Sequence, residues 1–394
     1  MVRIVVLGGS FGGLTAAFEL KRIIGSKADV TVLSNADKFV FVPSLPWVSM
    51  GWKRPEDITL SLDAILKPKG IQFIHDAAEG VDADASKVIT KSLEIHYDYL
   101  VIATGPDLVF SAVPGLGPAG HTECIFELDM ALKTRDAWNR FLEDPGPIVV
   151  GSVQGVSCFG PPYEYAFEVD TELKRRKIRH QVPITFVTSE PYIGHFGISG
   201  LKTSRRVIED EFANRDITII ANQAIEEFTP GTVKLSDGTA LSHKLAMFAP
   251  PMSGVKAVFH LGNPKGFIAV DNHYRHKDFK NILCVGVAMA IAPPEQTPVP
   301  TGVPKTGQMT VEMAKDAAKT IVSDISGKPA PEPEPLGVLC LMDMGDSAVL
   351  MQASPLLPPR QKAVLKKSIM YKWGKHAFER YFLWKMKNGL TQLP

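Results

Sequence analysis

Four cysteines, Cys124, Cys158, Cys284 and Cys340, are the side chains of this sequence best suited to covalent chemistry. Four in 394 residues do not make a disulfide scaffold, so each is either a reactive thiol or a packing residue. Cys158 lies in GSVQGVSCFGPPYEYAFEVD, Gly151 to Asp170, a stretch that begins like a nucleotide-binding turn and then departs from one. It sits near the expected start of a helix read from PYEYAFEVDTELKRR. A helix N-terminus favours a thiolate, so Cys158 is expected to be an activated thiol. Cys340 follows the PAPEPEP linker, within LGVLCLMDMG. The two form a redox pair if the fold joins them, and are ordinary buried cysteines if it does not. Cys284, inside an apolar strand, is expected in the core.

The elements that must position these thiols begin at the N-terminus. RIVVLGGSFGGLTAAFELKRI reads as a buried strand from Arg3 to Leu7, a tight turn, and a helix from Leu14 to Ile23. Gly8, Gly9, Gly12 and Gly13 let backbone approach a pyrophosphate, and the helix start supplies N–H groups. Ser10 stands at the middle glycine position of the dinucleotide fingerprint. The next strand, Asp29 to Ser34, ends on Ser34 and Asn35, where an acid would ordinarily bind the adenine ribose. HYDYLVIATGP, His96 to Pro106, resembles the linker strand of flavin disulfide reductase folds. FKNILCVGVAMAI reads as another buried strand, ending at Gly286; Val287 stands where that superfamily has the Asp of a Gly-Asp pair, so backbone groups would have to serve. The second turn, after a strand from Pro147 to Val150, has Val153 and Val156 at the GxGxxG glycine positions, which predicts a nicotinamide domain without its ligand.

GGSFGG, FVPSLPWVSMGW (Phe41 to Trp52), CFGPPYEYAFE (Cys158 to Glu168) and APPEQTPVPTGVPKTGQM (Ala292 to Met309) together resemble the sulfide:quinone oxidoreductase family over most of the chain. The missing acids at Ser34 and Val287 match that family too. The resemblance implies an α/β fold of two Rossmann-like (FAD/NAD(P)-binding type) domains plus a C-terminal amphipathic, membrane-associated helical region. The expected division is an FAD-binding domain from 1–110 and 255–325, a second Rossmann-like domain over 111–254, and a C-terminal region over 326–394. It implies FAD, hydrogen sulfide and polysulfide, and a membrane quinone as cofactor and substrates. The implied cofactor contacts are Gly8, Gly9, Ser10, Phe11, Gly12, Gly13, Ser34, Asn35, Pro43, Ala103, Thr104, Gly105, Gly286, Val287, Gly302 and Lys305. Lys305 would place positive charge near the flavin pyrimidine end. Cys158 and Cys340 resemble the family's redox pair, and Cys124 its third cysteine, which is either attached to the flavin or handles sulfur. Glu164 carries over as a proton-handling group and His195 as an acid/base. Phe378, with Phe382 and Leu341, matches the quinone site. No residue is assigned to a metal. In the implied reaction sulfide opens a Cys158–Cys340 disulfide or sulfur bridge, leaving a persulfide on one cysteine and a thiolate on the other. The thiolate attacks the flavin, sulfur leaves as polysulfide or elemental sulfur, and quinone takes the electrons.

The formal net charge of +1 does not suggest a nucleic-acid binder. It conceals a basic end: from Arg360 to Lys387 there are nine Lys or Arg and one Glu, a local +8 against −7 elsewhere. Leu365, Ile369, Trp373, Ala377, Tyr381 and Trp384 recur there at helical spacing, and Gly374 marks a division into two helices. Such a segment is expected to lie in a bilayer interface, making the protein peripheral, or to dock on the chain's own acidic surface. No run of 18 apolar residues occurs, and MVRIVVLGG enters a domain strand without leader features. The membrane face and a homo-oligomeric state stay open. The rival readings are a type II NADH:quinone oxidoreductase, which needs a working second turn and no cysteine pair; a flavocytochrome-type sulfide dehydrogenase subunit, which is exported; and a non-catalytic FAD scaffold.

Overall fold

The computed structural model describes residues 1–199, 201 and 203–392. Two parallel sheets carry the molecule. The first has the order Ile282–Cys284, Tyr99–Ile102, Val2–Leu7, Ala28–Ser34, Gln72–His75, all parallel. The second has the order Ile217–Ala221, Ile184–Thr188, Ile148–Ser152, Leu245–Ala249, again all parallel. Strands such as Val2–Leu7, Ile148–Ser152 and Leu245–Ala249 are short, largely buried apolar runs, as parallel strands covered by helices must be. A two-stranded antiparallel link, Pro106–Leu108 with Met252–Gly254, ties the chain's two passages between the sheets.

Helix Phe11–Ile24 follows the first strand directly and packs against Gly307–Ser326. Gly13 is required where they meet the turn: a Cβ there would lie 1.8 Å from the Gly8 carbonyl oxygen. Gly8 itself has φ +110°, and its Cβ would lie 2.3 Å from the Ala103 carbonyl.

The C-terminal part departs from the expected run of helices. Lys362–Ser368 is a strand, the third of an antiparallel sheet with Val338–Asp343 and Ala348–Ser354. Leu365, included in the helical spacing, is therefore a strand residue. The apolar positions of KAVLKKS are too few to separate period 2 from period 3.6, and pairing over the full length of Ala348–Ser354 decides for the strand. Helix Ile369–Lys387 begins only after Ser368, whose hydroxyl accepts from the Met370 amide. It runs unbroken through Gly374, so there is one helix where two were expected. Among the described residues no helix is long and apolar enough to cross a membrane.

The antiparallel sheet is held to the second parallel sheet by a buried charge network. Asp170 on helix Gly160–Arg175 accepts from Arg179 at 2.7 Å, Arg215 at 2.8 Å and Lys174 at 2.8 Å. Arg215 also reaches Asp346 at 2.7 Å, in the turn between the first two C-terminal strands. Removing one member of a buried network strands the others without compensation. Asp170→Asn is expected to cost about 3–5 kcal/mol, read as a lower unfolding midpoint of the full chain. An unchanged midpoint would mean that solvent satisfies the two arginines.

Candidate active site

Three of the catalytic candidates, Cys158, Cys340 and Glu164, lie where helix Gly160–Arg175 packs against strand Val338–Asp343 and helix Ile369–Lys387 crosses that strand. Cys158 precedes the first of these helices and Cys340 lies on the strand. The two thiols are close enough for a charge on Cys158 to act on Cys340, and the Glu164 charge acts on both. All four cysteines are free thiols.

The expected activation of Cys158 does not hold. Burial pushes both thiols up to about 12, with the Glu164 carboxylate adding to the shift. The Gly160 amide at the helix start opposes it, but one N–H does not offset desolvation and a neighbouring anion. Phe159, not Cys158, is the helix N-cap residue, and it supplies no capping side chain. As a free thiol, then, Cys158 is a protonated, poorly nucleophilic group.

Glu164 is buried and fully engaged. Its Oε1 accepts from the Lys375 ammonium at 2.7 Å and from the Asp343 amide at 2.8 Å. Burial raises its pKa, and Lys375 pulls it back. Burial likewise draws Lys375 down, but the carboxylates of Glu164, Asp343 and Glu168 outweigh that and raise it. With two donors on one oxygen, Glu164 is the ionised partner of a buried ion pair. Trp47 roofs the pair: its indole N–H donates to Asp343 at 2.9 Å, its ring lies 4.7 Å from the Lys375 nitrogen, and His376 stacks on it at 4.2 Å. Lys375, Asp343, Glu168 and Trp47 were not among the sequence candidates. In the sequence Lys375 is one more basic residue of a basic helix, and nothing local marks it as buried.

Cys124 is fully buried and feels a different set of charges, Glu127 and Glu123; burial pushes it up to about 12. The pair's neighbours do not include it. Cys284 is buried in its strand, and burial pushes it up to about 12 as well. His195 is buried, with Nε2 against the Glu295 carboxylate at 2.8 Å and Nδ1 accepting from the Gly197 amide at 3.2 Å. This fixes the tautomer with hydrogen on Nε2 and engages both nitrogens. Its loop packs on the cysteine turn: a Cβ on Gly197 would lie 2.1 Å from the Gly302 carbonyl and 3.2 Å from the Phe159 ring. Gly302 in turn donates to the Val156 carbonyl at 2.7 Å.

The first turn fits a dinucleotide. The amides of the first turn of Phe11–Ile24 have no intrahelical partner, and the exposed Ser10 side chain does not cap them. A Cβ on Gly12 would lie 2.9 Å from Thr310 Cγ2, and one on Gly286 at the same distance from that methyl, so two glycines and a second helix start form one cradle. Ser34 is buried beside Gly9, its hydroxyl accepting from the Ala36 amide at 3.1 Å. Asn35 is exposed, its carbonyl accepting from His75. Pro43, Thr104 and Val287 are half-buried, Ala103 is buried against Gly8, and Gly105 takes φ +71°. Lys305 donates to the Met289 carbonyl at 2.6 Å and lies over Phe267; burial lowers it to about 8, so it stays mostly cationic at neutral pH.

The second turn fits poorly. Val153 and Val156 are both buried, their side chains filling the turn. Glu190, two residues past Thr188 at the end of a central strand, occupies the place of a ribose-binding acid. It accepts instead from Tyr163 at 2.7 Å, Thr188 at 2.9 Å and the Phe196 amide at 2.6 Å. Burial raises it to about 7.

The quinone candidates separate. Phe382 is only 3% exposed, packed on Phe11 and Phe41 at 4.9 and 5.5 Å. Phe378 is 38% exposed and meets Phe41 at 6.1 Å. Leu341 is half-buried, 3.9 Å from where a Gly374 Cβ would be. Leu339, on the same strand face, is exposed and was not a candidate.

The geometry defines a two-dinucleotide-fold oxidoreductase with a thiol pair. The pyridine nucleotide-disulphide oxidoreductase family matches residues 2–317. The sulfide-quinone reductase of Aquifex aeolicus is 42% identical, the alignment covering 98% of this chain and 91% of that protein. The X-ray structure of the sulfide:quinone oxidoreductase of that bacterium superposes with a TM-score of 0.96 at 41% identity, covering 99% of this chain and 92% of that one. A type II NADH:quinone oxidoreductase of Staphylococcus aureus is more distant, 22% identical over 93% of this chain and 94% of its own length. The chain belongs to the pyridine nucleotide-disulphide oxidoreductase family and, within it, to the sulfide:quinone oxidoreductases.

The raised thiol pKa gives a direct test. Glu164→Gln removes an anion from both thiols and leaves the Lys375 cation acting on Cys340, so both pKa values fall. Alkylation of Cys158 and Cys340 at pH 8 in the reduced protein is expected to be slow, and to rise several-fold in the variant. Equal alkylation rates would show that the Glu164 charge is not felt there.

Proposed function

We propose that this protein oxidises sulfide through a Cys158–Cys340 couple and FAD and reduces a membrane quinone. The observation that carries the reading is the shared environment of the two thiols, next to a buried Glu164–Lys375 pair and beyond a second turn filled by Val153 and Val156. Full-length similarity to a sulfide-quinone reductase supports it. The filled turn and the internally paired Glu190 count against the NADH-dependent reading.

FAD is the cofactor, held by the Gly8–Gly13 turn, the start of helix Phe11–Ile24 and the Gly286–Thr310 cradle; when bound it supplies a two-electron carrier between sulfur and quinone. Hydrosulfide attacks the oxidised pair: one S–S bond forms, one breaks, and a persulfide and a thiolate result. The high thiol pKa values matter here, because a thiolate of high pKa is the poorer leaving group but, once freed, the stronger nucleophile. Glu164, whose charge both thiols feel, is the acceptor for the proton this releases. Lys375, hydrogen-bonded to it, stands on the helix that bears Phe378, so a proton can pass from the sulfur side toward the quinone side through one pair. His195 orders the loop against Gly302 and holds a second proton on Nε2. Cys124 acts outside the couple, in sulfur handling or flavin attachment.

Anaerobic addition of sulfide to the purified holoprotein is expected to bleach the flavin, and a quinone to restore it. Cys158→Ser and Cys340→Ser should each keep FAD and lose sulfide-dependent bleaching by on the order of a hundredfold, as when covalent nucleophilic catalysis is removed. Parental turnover in Cys158→Ser would rule out the couple.

The quinone is lipid-soluble, and the C-terminal helix supplies the contact. Met370 and Trp373 are 75% and 71% exposed, with Ile369, Trp384 and Leu390 also exposed beside lysines. Aromatic and aliphatic side chains above a basic face suit a bilayer interface. The protein is thus a peripheral membrane protein, with Phe378, Leu339 and Leu341 at the quinone entry. Met370→Glu with Trp373→Glu is expected to weaken sedimentation with anionic vesicles while leaving sulfide-dependent flavin bleaching within about twofold, since neither side chain is buried. Undiminished co-sedimentation would place the anchor elsewhere.

A further inference from the structure

Glu168 is one turn beyond Glu164 on helix Gly160–Arg175, and is 0% exposed. Neither carboxyl oxygen has a hydrogen-bond partner. A buried carboxylate accepting nothing is the least favourable state for an acid, far worse than the neutral form. The charged groups that face it are Glu164 on its own helix, Asp343 on the adjoining strand, and Lys375 and Lys372 on the C-terminal helix; Tyr165 also lies within its field. Three buried carboxyls thus stand against one buried ammonium, since Lys372 is half-exposed and donates to the Gly345 carbonyl. Glu164 has two donors on Oε1. Asp343 accepts from Trp47 on one oxygen and from the Gly345 amide at 2.6 Å on the other. Of the three, only Glu168 has no hydrogen-bond donor to stabilise a charge, so the proton the cluster must retain belongs there. Burial, with Asp343 and Glu164 after it, raises its pKa well above the ordinary carboxyl value.

We propose that Glu168 is a carboxylic acid in the working protein and serves as the proton reserve of the Glu164–Lys375 pair. The inference rests on the quinone-reducing reading only for its use, not for the protonation state. The step is a proton transfer with no change of electron count. When Lys375 has given its proton to the quinone side, the Glu168 side chain turns toward Glu164, its acid O–H bond breaks as a Glu164 O–H bond forms, and Glu164 passes that proton on to Lys375. Glu168 becomes the anion, and a proton released at the cysteines refills the set through Glu164. Quinone reduction consumes two protons, and the ion pair alone holds one to spare. Glu168 supplies the second. It touches no substrate and acts only through Glu164, so it is a positioning residue of the relay.

The test uses the FAD-loaded full chain and two variants, Glu168→Gln and, as a shape-preserving apolar control, Glu168→Met. In the parent, infrared spectroscopy at pH 7 is expected to show a carboxylic-acid C=O band that shifts in deuterium oxide and is missing in both variants. A band that persists in Glu168→Gln puts the proton on another group and overturns the proposal. Stability gives an independent reading. An acid with a raised folded-state pKa holds its proton more tightly folded than unfolded, so its stabilisation is full below the unfolded pKa of about 4.3 and is lost as pH rises through the folded value. Glu168→Gln should therefore gain on the parent as pH rises from 5 to 9. A constant difference, or one that favours the parent at high pH, means a charged Glu168 paired with Lys372 and overturns it. Neither measurement depends on sulfide, so both stand even if the proposed activity fails. For the relay itself, reoxidation of reduced FAD by quinone in Glu168→Gln should slow about tenfold or more, within the span of lost acid–base assistance, and its pH profile should flatten. Parental reoxidation at every pH would make Glu168 a structural acid only and overturn the relay.

Discussion

One buried ion pair, Lys375 with Glu164, governs the arrangement of the site. Bringing an ammonium and a carboxylate out of water costs several kcal/mol each, and the pair persists only because the remaining bonds are made around it. The Asp343 amide completes Glu164, and the Trp47 ring covers the lysine. Each of these belongs to a different part of the chain: the helix after Cys158, the strand carrying Cys340, the helix carrying Phe378, and the segment around Phe41. Sliding any one of them by a residue would leave a charge unpaired. The same constraint that fixes the C-terminal region therefore also sets Cys340 beside Cys158.

A second set of bonds keeps that helix seated. Glu379, one turn beyond Lys375, accepts from Lys53 at 2.6 Å and from Ser44, and Phe382 fills the space between Phe11, Phe39 and Phe41. Phe11 opens the first cofactor-turn helix, so the C-terminal helix rests directly on that element. Thr391 then bonds to the buried Glu19 on that same helix. Burying an aromatic residue such as Phe382 contributes about 1.5–3 kcal/mol. The charge pairs set direction and register, while the ring supplies most of the attraction.

The sequence is informative where chemistry is local and silent where it depends on what lies across the fold. The Gly8–Gly13 turn is legible because its glycines are forced by backbone contacts within the turn and its neighbouring strand. Val153 and Val156 are legible for the same reason: side chains in a tight turn leave no room. Cys158 stands out in the sequence, but its acidity is not legible there. A helix start next to it suggests a low pKa, whereas the deciding terms, desolvation and the Glu164 anion, come from packing and from a side chain a turn and a half along the helix. Lys362–Ser368 shows the other failure. Its few apolar residues suit either period, and only pairing with Ala348–Ser354 selects the strand. Lys375, Asp343 and Glu168 carry no local signature at all, because a charged residue is expected at the surface until a partner is known.

These contrasts explain how one helix can serve two environments. On Ile369–Lys387 the buried positions are Lys375, Glu379, Phe382, Lys385 and Met386. Ile369, Met370, Trp373, Phe378 and Trp384 are exposed. The usual pattern is reversed: three of the five buried residues carry charges and much of the exposed face is apolar. A helix in water alone would gain by turning over, since about 25 cal/mol would be recovered for each Å² of apolar surface covered. It does not turn because Lys375 is already paired with Glu164, and Glu379 with Lys53 and Ser44. Inversion would leave those partners, two of them fully charged, without compensation inside the protein, at several kcal/mol each. The inward charges of Lys375 and Glu379 therefore hold the apolar face outward, as the proposed bilayer contact requires, and fix Lys375 beneath that face on the same helix.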